Sequence, residues 1–306
     1  LVSSGQSLWQ ILPLCPVEYG NSPYQSPSTF AGNFLYLDLE NLVYNEYLTQ
    51  EDIDILKQEV SYVDYEYIKS QKESLLRKAS QAFFYKNKEQ EEFENFQKDN
   101  QFWLEDYALF LALNKKFKGK MWNTWQKEYK FRDKKFIEEA KKIYHEEYLY
   151  ESFIQYYFYK QWKELKDYAN KRGIKIIGDL PIYVATHSAD TWQNPKLFCF
   201  DKHLKIKSVA GCPPDYFSKT GQLWGNVLYD WKELERIRTF ADKPKGDGWA
   251  EGKGRLGRKG TPYYIGKWRR RGAKFCACGR RDGTNGMVSG KTLDCFRQLK
   301  RPREVG

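Results

Sequence analysis

Chemistry-bearing residues gather at one strand end and in two long loops. Ile174-Lys-Ile-Ile-Gly-Asp-Leu-Pro-Ile-Tyr-Val184 reads as a buried strand, which puts Asp179 at or near its C-terminal end. In an α/β barrel that end is the functional face. A carboxylate is costly to bury without a partner, so Asp179 is either a site group or the cap of the loop that follows. The loops are Gly20-Asn-Ser-Pro-Tyr-Gln25 and Pro213-Pro-Asp-Tyr-Phe-Ser-Lys-Thr-Gly-Gln-Leu-Trp-Gly-Asn226. Both offer aromatic rings beside amides and hydroxyls. Flat apolar faces suit sugar C–H groups, and neutral donors and acceptors suit sugar hydroxyls. Ordinary loop packing is the alternative for each loop taken singly, although loops this long without regular structure are uncommon unless functional.

Other chemistries lack their motifs. No Gly-x-Gly-x-x-Gly follows a strand, no phosphate loop ends in Gly-Lys-Ser/Thr, and no Gly-x-Ser-x-Gly elbow occurs. His145, His187 and His203 have no metal-ligand spacing, and His145, in a polar helix, reads as a surface residue. Cys15, Cys199 and Cys212 are isolated and read as small buried thiols. Cys276, Cys278 and Cys295 lack a fourth ligand and the usual spacing for zinc.

The elements that must position these residues follow from periodicity. Residues 7–14 read as a short buried strand ended by Pro13, and residues 15–33 as a loop rich in Pro, Gly, Ser and Asn. Residues 50–171 read as helical. Thr49 with Asp52 forms an N-cap and acidic first turn. Leu75, Ala79 and Phe83 share a face, as do Trp103, Tyr107, Phe110 and Leu111, and then Phe158, Trp162, Leu165 and Ala169. Gly173 is a C-terminal stop. The Lys/Glu run from Lys86 to Glu94 reads as a solvated face. Helix, glycine loop and apolar strand make an αβ unit. Residues 193–230 read as mostly loop.

The 306 residues are 41% hydrophobic and 17% aromatic, enough for a large core, with no apolar run of eighteen or more residues to span a membrane. No secretory leader is visible. The chain starts at Leu1 and its first methionine is Met121, so a missing natural N-terminus is expected. The net charge of +11 is unevenly placed. Residues 237–306 hold 19 Lys and Arg against 6 Asp and Glu, a net of +13, whereas residues 1–236 hold 32 against 34, a net of −2. The same last segment holds 13 of the 22 glycines. Nucleic-acid binding is therefore not expected of the main body, and could come only through the basic tail.

Long stretches carry a family resemblance. They are Gly5-Gln-Ser-Leu-Trp-Gln-Ile-Leu-Pro-Leu14, Tyr19-Gly-Asn-Ser-Pro-Tyr-Gln-Ser26 and Phe30-Ala-Gly-Asn33. Gly178-Asp-Leu-Pro-Ile-Tyr-Val-Ala185, Ser188-Ala-Asp-Thr-Trp192 and Ala210-Gly-Cys-Pro-Pro-Asp-Tyr-Phe-Ser218 follow, then Thr220-Gly-Gln-Leu-Trp-Gly-Asn226 and Leu228-Tyr-Asp-Trp231. In order and spacing the sequence resembles the amylomaltases, or 4-α-glucanotransferases, of the α-amylase superfamily, over about residues 1–234. The resemblance implies an α/β fold: a partial (β/α)8 barrel with a large helical insertion and a basic, disordered C-terminal tail. The implied divisions are 1–41 for the first barrel part, 42–150 for the helical insertion, 151–234 for a barrel helix, strand and substrate loop, and 235–306 for the tail.

The implied reaction is retaining transfer of α-1,4-glucan segments between maltooligosaccharides or starch- and glycogen-derived glucans, without cofactor. Tyr24, Asp179, Tyr216, Phe217, Gln222, Trp224 and Asn226 match family residues in or near the donor and acceptor subsites, with Ser22 and Gln25 as weaker matches. The resemblance implies a cytoplasmic enzyme, or a plastid one in a plant or alga. The departures are Asn21 and His187 where the family has Asp, and Val227 for a usual Pro. The family's catalytic carboxylates, in Arg-Ile-Asp-His-Phe-Arg-Gly, Ala-Glu-Asp-Leu-Gly and Thr-His-Asp stretches, have no counterpart after Trp231, so no catalytic residue is assigned and this polypeptide is expected to be inactive. With two or three barrel strands present it is also expected to be unstable or to aggregate. The tail reads as a translation artefact, as a basic segment for an anionic partner such as RNA, or as a disrupted pseudogene product; without catalysis the chain is a glucan- or nucleic-acid-binding one.

Overall fold

The computed structural model describes residues 1–56, 61–179 and 181–242. The expectations for the tail lie outside these residues from 243 onward. The chain divides into two compact units, Leu1–Gln193 and Asn194–Gly306.

The first unit is a helical body carrying one parallel strand pair. Strand β1 (Leu8–Gln10) is followed by α1 (Leu39–Tyr44), α2 (Gln50–Asp54), α3 (Tyr65–Lys86), α4 (Gln90–Lys116), α5 (Lys127–Lys130), α6 (Lys134–Ile143), α7 (His145–Lys171), β2 (Lys175–Ile177) and α8 (Ala189–Gln193). Side chains set the helix starts. Asp38, Asp64 and Asp133 accept first-turn amides of α1, α3 and α6, and Thr49 with Asp52 closes a reciprocal capping box on α2. Asn87, at φ +49°, ends α3, and Gly173, at φ +78°, turns the chain out of α7.

The core is aromatic. Phe83 on α3 packs against Tyr47, Phe93, Phe153, Tyr156 and Tyr157, with ring centroids 5.2–6.1 Å apart. Helices α4 and α7, each 27 residues and so roughly 40 Å long, lie against each other through Phe96–Tyr156 and Trp103–Tyr159. A second aromatic group joins Phe110, Trp125, His187 and Trp192.

Strand β1 pairs with β2 in parallel, Trp9 opposite Ile176. Both strands were expected to be buried, but each is three residues long, and Leu8 and Ile177 are exposed. Strand burial comes from neighbouring strands and covering helices rather than from the strand's own apolar residues. The run Lys86 to Glu94 is mostly the solvated face expected of it, with Asn87, Lys88, Gln90, Glu91, Glu92 and Glu94 exposed, but Phe93 is buried and Glu89 half-buried. Asn87 breaks it into two helices, and Glu89 accepts hydrogen bonds from the hydroxyls of Tyr47, Tyr156 and Tyr157 and from Lys160. Of the helical stripes, Leu165 departs: it is exposed on α7. His145 is exposed, as expected.

In the second unit the expected loop contains a hairpin. Strand β3 (Val209–Cys212) pairs antiparallel with β4 (Gln222–Val227) across a bulge, and α9 (Trp231–Asp242) follows. Gly211 is needed here, since a Cβ would come 2.5 Å from the Gln222 carbonyl oxygen. Asp230 caps α9 by accepting the amides of Lys232 and Glu233. Among the described cysteines, Cys15 is buried, but Cys199 and Cys212 are only half-buried, and all three are free thiols. No helix among the described residues is long and apolar enough to cross a membrane.

Candidate functional site

The first unit brings together two expected site residues that lie 155 positions apart. Tyr24 donates its hydroxyl to Asp179 Oδ2 at 2.5 Å. Asp179 stands two residues beyond the end of β2, and Tyr24 sits in the loop between β1 and α1. Both are exposed. The Asp179 carboxylate raises the Tyr24 phenol above its ordinary pKa, chiefly through this hydrogen bond.

Ser22 has a turn-forming role. Its Oγ accepts the Tyr24 amide at 3.3 Å, and its carbonyl accepts the Gln25 amide at 3.1 Å. Gln25 is half-buried beside it. Asn21 takes the left-handed conformation, φ +51°, which asparagine tolerates better than most residues. Its side-chain oxygen accepts from Lys69 on α3 at 2.9 Å.

Three anchors that sequence reasoning did not single out hold this loop. Gln155 on α7, itself buried, accepts the Gly32 amide at 2.7 Å and donates to the Gly32 carbonyl at 3.1 Å. Gly32 lies so close to α7 that a Cβ would overlap the Phe158 ring, 1.9 Å from Cδ1. Farther along, Thr29 donates its amide and hydroxyl to the two oxygens of Asp190, both at 2.9 Å, and Pro27 accepts the Ala189 amide at 2.8 Å. Burial raises the Asp190 pKa to about 6, against the opposing pull of the Thr29 bonds.

The segment 186–192 that carries Asp190 is fixed in turn by Trp122. Its indole donates to the Thr186 carbonyl and the Thr191 hydroxyl at 2.9 and 3.0 Å. His187, noted in the sequence as lacking metal-ligand spacing and as a departure from Asp, accepts the Trp122 amide on Nδ1 at 3.1 Å and faces Asn114 Oδ1 through Nε2 at 2.9 Å. Burial lowers its pKa to about 4, so the ring is neutral and Nε2 carries the proton.

The other expected residues lie in the second unit. Between β3 and β4, Asp215 Oδ1 accepts the amides of Phe217 and Ser218, and the Ser218 hydroxyl donates to the Gly221 carbonyl. This turn holds Tyr216 and Phe217 almost wholly in solvent, their rings at right angles and 5.6 Å apart. On β4 the Trp224 indole donates to Gln222 Oε1 at 3.0 Å, with 47% of the residue exposed. Asn226 is buried at the inner end of the strand. A cluster of exposed rings of this kind is a candidate contact surface. Among the described residues no group of three His, Cys, Asp or Glu side chains is arranged to hold a metal.

A family model described as 4-alpha-glucanotransferase matches residues 1–240. The chain is 47% identical over 239 residues to the 4-alpha-glucanotransferase of Clostridium butyricum, a match covering 77% of this chain and 49% of that protein. It is 44% identical over 240 residues to the 4-alpha-glucanotransferase of Aquifex aeolicus, covering 77% and 48%. Its fold is similar to that of the amylomaltase from Streptococcus agalactiae in complex with acarbose, with a TM-score of 0.74 at 35% identity, covering 78% of this chain and 48% of that one. The chain spans about half the length of the curated relatives it matches.

Proposed function

The chain belongs to the 4-alpha-glucanotransferase family, and on that premise we propose that it is a glucan-holding part of a retaining transferase acting on α-1,4-glucans and maltooligosaccharides. The Tyr24–Asp179 hydrogen bond carries the reading, because it joins two distant expected site residues at the exposed C-terminal end of β2. With one oxygen of Asp179 oriented by Tyr24, the carboxylate is set to take a sugar hydroxyl while the Tyr24 ring offers a face. In the second unit, taken by itself, Tyr216, Phe217 and Trp224 are the stacking surfaces and Gln222 supplies an exposed amide, with Asn226 buried at the inner end of the strand. Ser22 and Gln25 shape the Tyr24 loop. The partial barrel and helical insertion, divided at 41, 150 and 234, are part of the same proposal.

In a retaining transfer one carboxylate forms the glycosyl-enzyme and a second protonates the departing oxygen. The 306 residues hold none of the carboxylate stretches that the resemblance assigns to those roles. The polypeptide as it stands therefore binds glucan and does not turn it over. Maltoheptaose titrated into the full chain, followed by tryptophan fluorescence, is expected to give saturable binding. Trp224→Ala and Asp179→Asn each weaken it about ten-fold, equivalent to roughly 1.4 kcal/mol, and chromatography of the sugars shows no longer or shorter products. Affinity unchanged by Asp179→Asn sinks the Tyr24–Asp179 pair of the first unit, affinity unchanged by Trp224→Ala sinks the hairpin of the second, and product formation sinks the non-catalytic reading.

A further inference from the structure

A cavity of about 220 Å³ lies between α3, α4, α7 and the loop that follows β1. Neither Tyr24 nor Asp179 lines it. Four carboxyl groups do: Glu18 from the loop, Glu73 from α3, and Glu147 and Glu151 from α7. Arg77 on α3 answers two of them. Its Nη2 lies 3.1 Å from Glu73 and 3.0 Å from Glu147, with the guanidinium over the Tyr150 ring at 4.1 Å. Among the described residues Glu18 and Glu151 have no hydrogen bond or ion pair of their own. Lys69 acts on Glu18, and Arg77 on Glu151, only through space. The one other cation of the lining, Lys115 on α4, is exposed.

Carboxylates alone do not make a site, but two tyrosines of the same lining are also without partners. Tyr107 is 4% exposed and Tyr150 8%. Among the described residues neither hydroxyl has a hydrogen bond, and neither oxygen is one of the sealed, unbonded atoms of the core, so both open into the cavity. Buried hydroxyls are nearly always bonded, and one left without a partner favours whatever ligand supplies it. Glu18 and Glu151 both act electrostatically on Tyr107, so the three groups share one space. Burial pushes the Glu18 carboxyl up and that of Glu151 to about 8, a bias that a cation held between them would reverse.

We propose that this cavity binds a short aliphatic diamine, one ammonium group on Glu18 and the other on Glu151. The ammonium hydrogens left over donate to the Tyr107 and Tyr150 hydroxyls, and the methylenes lie against Leu111 and Ile154. Two unpaired carboxyl groups call for two positive ends, and the apolar wall between calls for a chain. The occupant is small, since drug-sized sites run to about 300–1,000 Å³. A metal ion fits less well, because among the described residues no three His, Cys, Asp or Glu side chains converge to hold one. The formal net charge of +11 gives the chain no diffuse attraction for cations, so uptake has to come from a built site. The site does not depend on the glucan reading.

Equilibrium dialysis of labelled 1,4-diaminobutane against the full chain at low protein concentration tests it. Saturable uptake of about one molecule per chain is expected at pH 8.5. Uptake weakens at least ten-fold at pH 5.5, where Glu18 and Glu151 take up protons while the diamine stays charged. Tyr107 and Tyr150, both raised by burial, stay neutral over that range. Glu18→Gln and Glu151→Gln each weaken uptake at least ten-fold, and Tyr107→Phe weakens it about three-fold. The replacements are close in shape, and an unchanged circular dichroism spectrum verifies that each variant folds. Asp179→Asn leaves uptake as it was, which separates this cavity from the carboxylate bonded to Tyr24. No saturable uptake overturns the proposal, as does uptake indifferent to pH or to both glutamine substitutions. Uncharged 1,4-butanediol competing as strongly as the diamine itself also overturns it, since the occupant is then a neutral polyol.

Discussion

His187 and Glu151 titrate in opposite senses, and each supplies a pH-dependent test. His187 is held neutral between the Trp122 amide and Asn114, with its pKa lowered from 6.5 to about 4 by burial. Between those values the unfolded chain takes up a proton that the folded chain refuses. The stability His187 contributes is therefore complete above about pH 6.5 and is lost as pH falls toward 4, on the order of 3 kcal/mol across the window. Glu151 on α7 runs the other way. Burial, reinforced by Glu147 and Glu73 and opposed by Arg77, raises its pKa from 4.5 to about 8. Its protonated form suits the fold, so it costs stability as pH rises through that range, and Asp190 does the same up to about 6. The opposing trends hide each other in the whole profile, so differences between proteins are the observable. Urea unfolding at sub-micromolar concentration, followed by tryptophan fluorescence, is expected to show the advantage of the parent chain over His187→Asn shrinking from pH 7.5 to 4.5. Glu151→Gln is expected to stabilise by on the order of 5 kcal/mol at pH 9 and by little at pH 4. A constant gap in either series means that the group titrates as it does in water. Neither environment was legible beforehand. His187 was visible as a departure from Asp, but its partners come from α4 and from the segment before α5, and no local pattern announces them.

At the scale of elements, α7 is both a core helix and the clamp of the Tyr24 loop. Its inner face was legible, because Phe158 and Ala169 repeat at helical spacing and are buried. Gln155 was not, since a polar residue on an apolar face carries no signal of what it will bind. Yet Gln155, itself buried, satisfies both the amide and the carbonyl of Gly32. Gln155→Leu strands both groups and is expected to cost about 2–4 kcal/mol. Gly32→Ala drives a methyl into the Phe158 ring and is expected to cost about 3 kcal/mol or to lift the loop off α7. Lifting the loop separates Tyr24 from Asp179, so maltoheptaose affinity should fall along with stability, although neither substituted residue faces the site. Unfolding midpoints with fluorescence titrations check both effects, and lost stability with unchanged affinity would detach the clamp from the site. The hairpin shows the opposite limit of legibility. Pro213, Pro214, Gly221 and Gly225 interrupt any alternation, so residues 209–227 read as loop. The pairing rests on the backbone and on Gly211, whose missing side chain lets the strands approach.

At the scale of the molecule, what could be read was the helical body, because its order is local: caps such as Thr49 with Asp52, stripes such as Ala79 and Phe83, and the stop at Gly173 act within a few residues. What could not be read was the fate of the strands, whose burial depends on partners far away in sequence. Leu8, Leu12 and Ile177 have the composition of an interior strand and the exposure of a surface. An open parallel pair with apolar side chains is a template for further pairing, so the free chain is expected to self-associate as its concentration rises. The association should come from this sheet and not from the basic segment 237–306, and salt separates the two causes. Attraction through the +13 segment toward the acidic body weakens as added salt screens it, whereas apolar association does not. Light scattering of the full chain over a concentration series is therefore expected to show growth that added sodium chloride leaves in place and that Leu8→Asp with Ile177→Asp suppresses. Growth that salt abolishes and the double substitution leaves alone would move the cause to the basic segment.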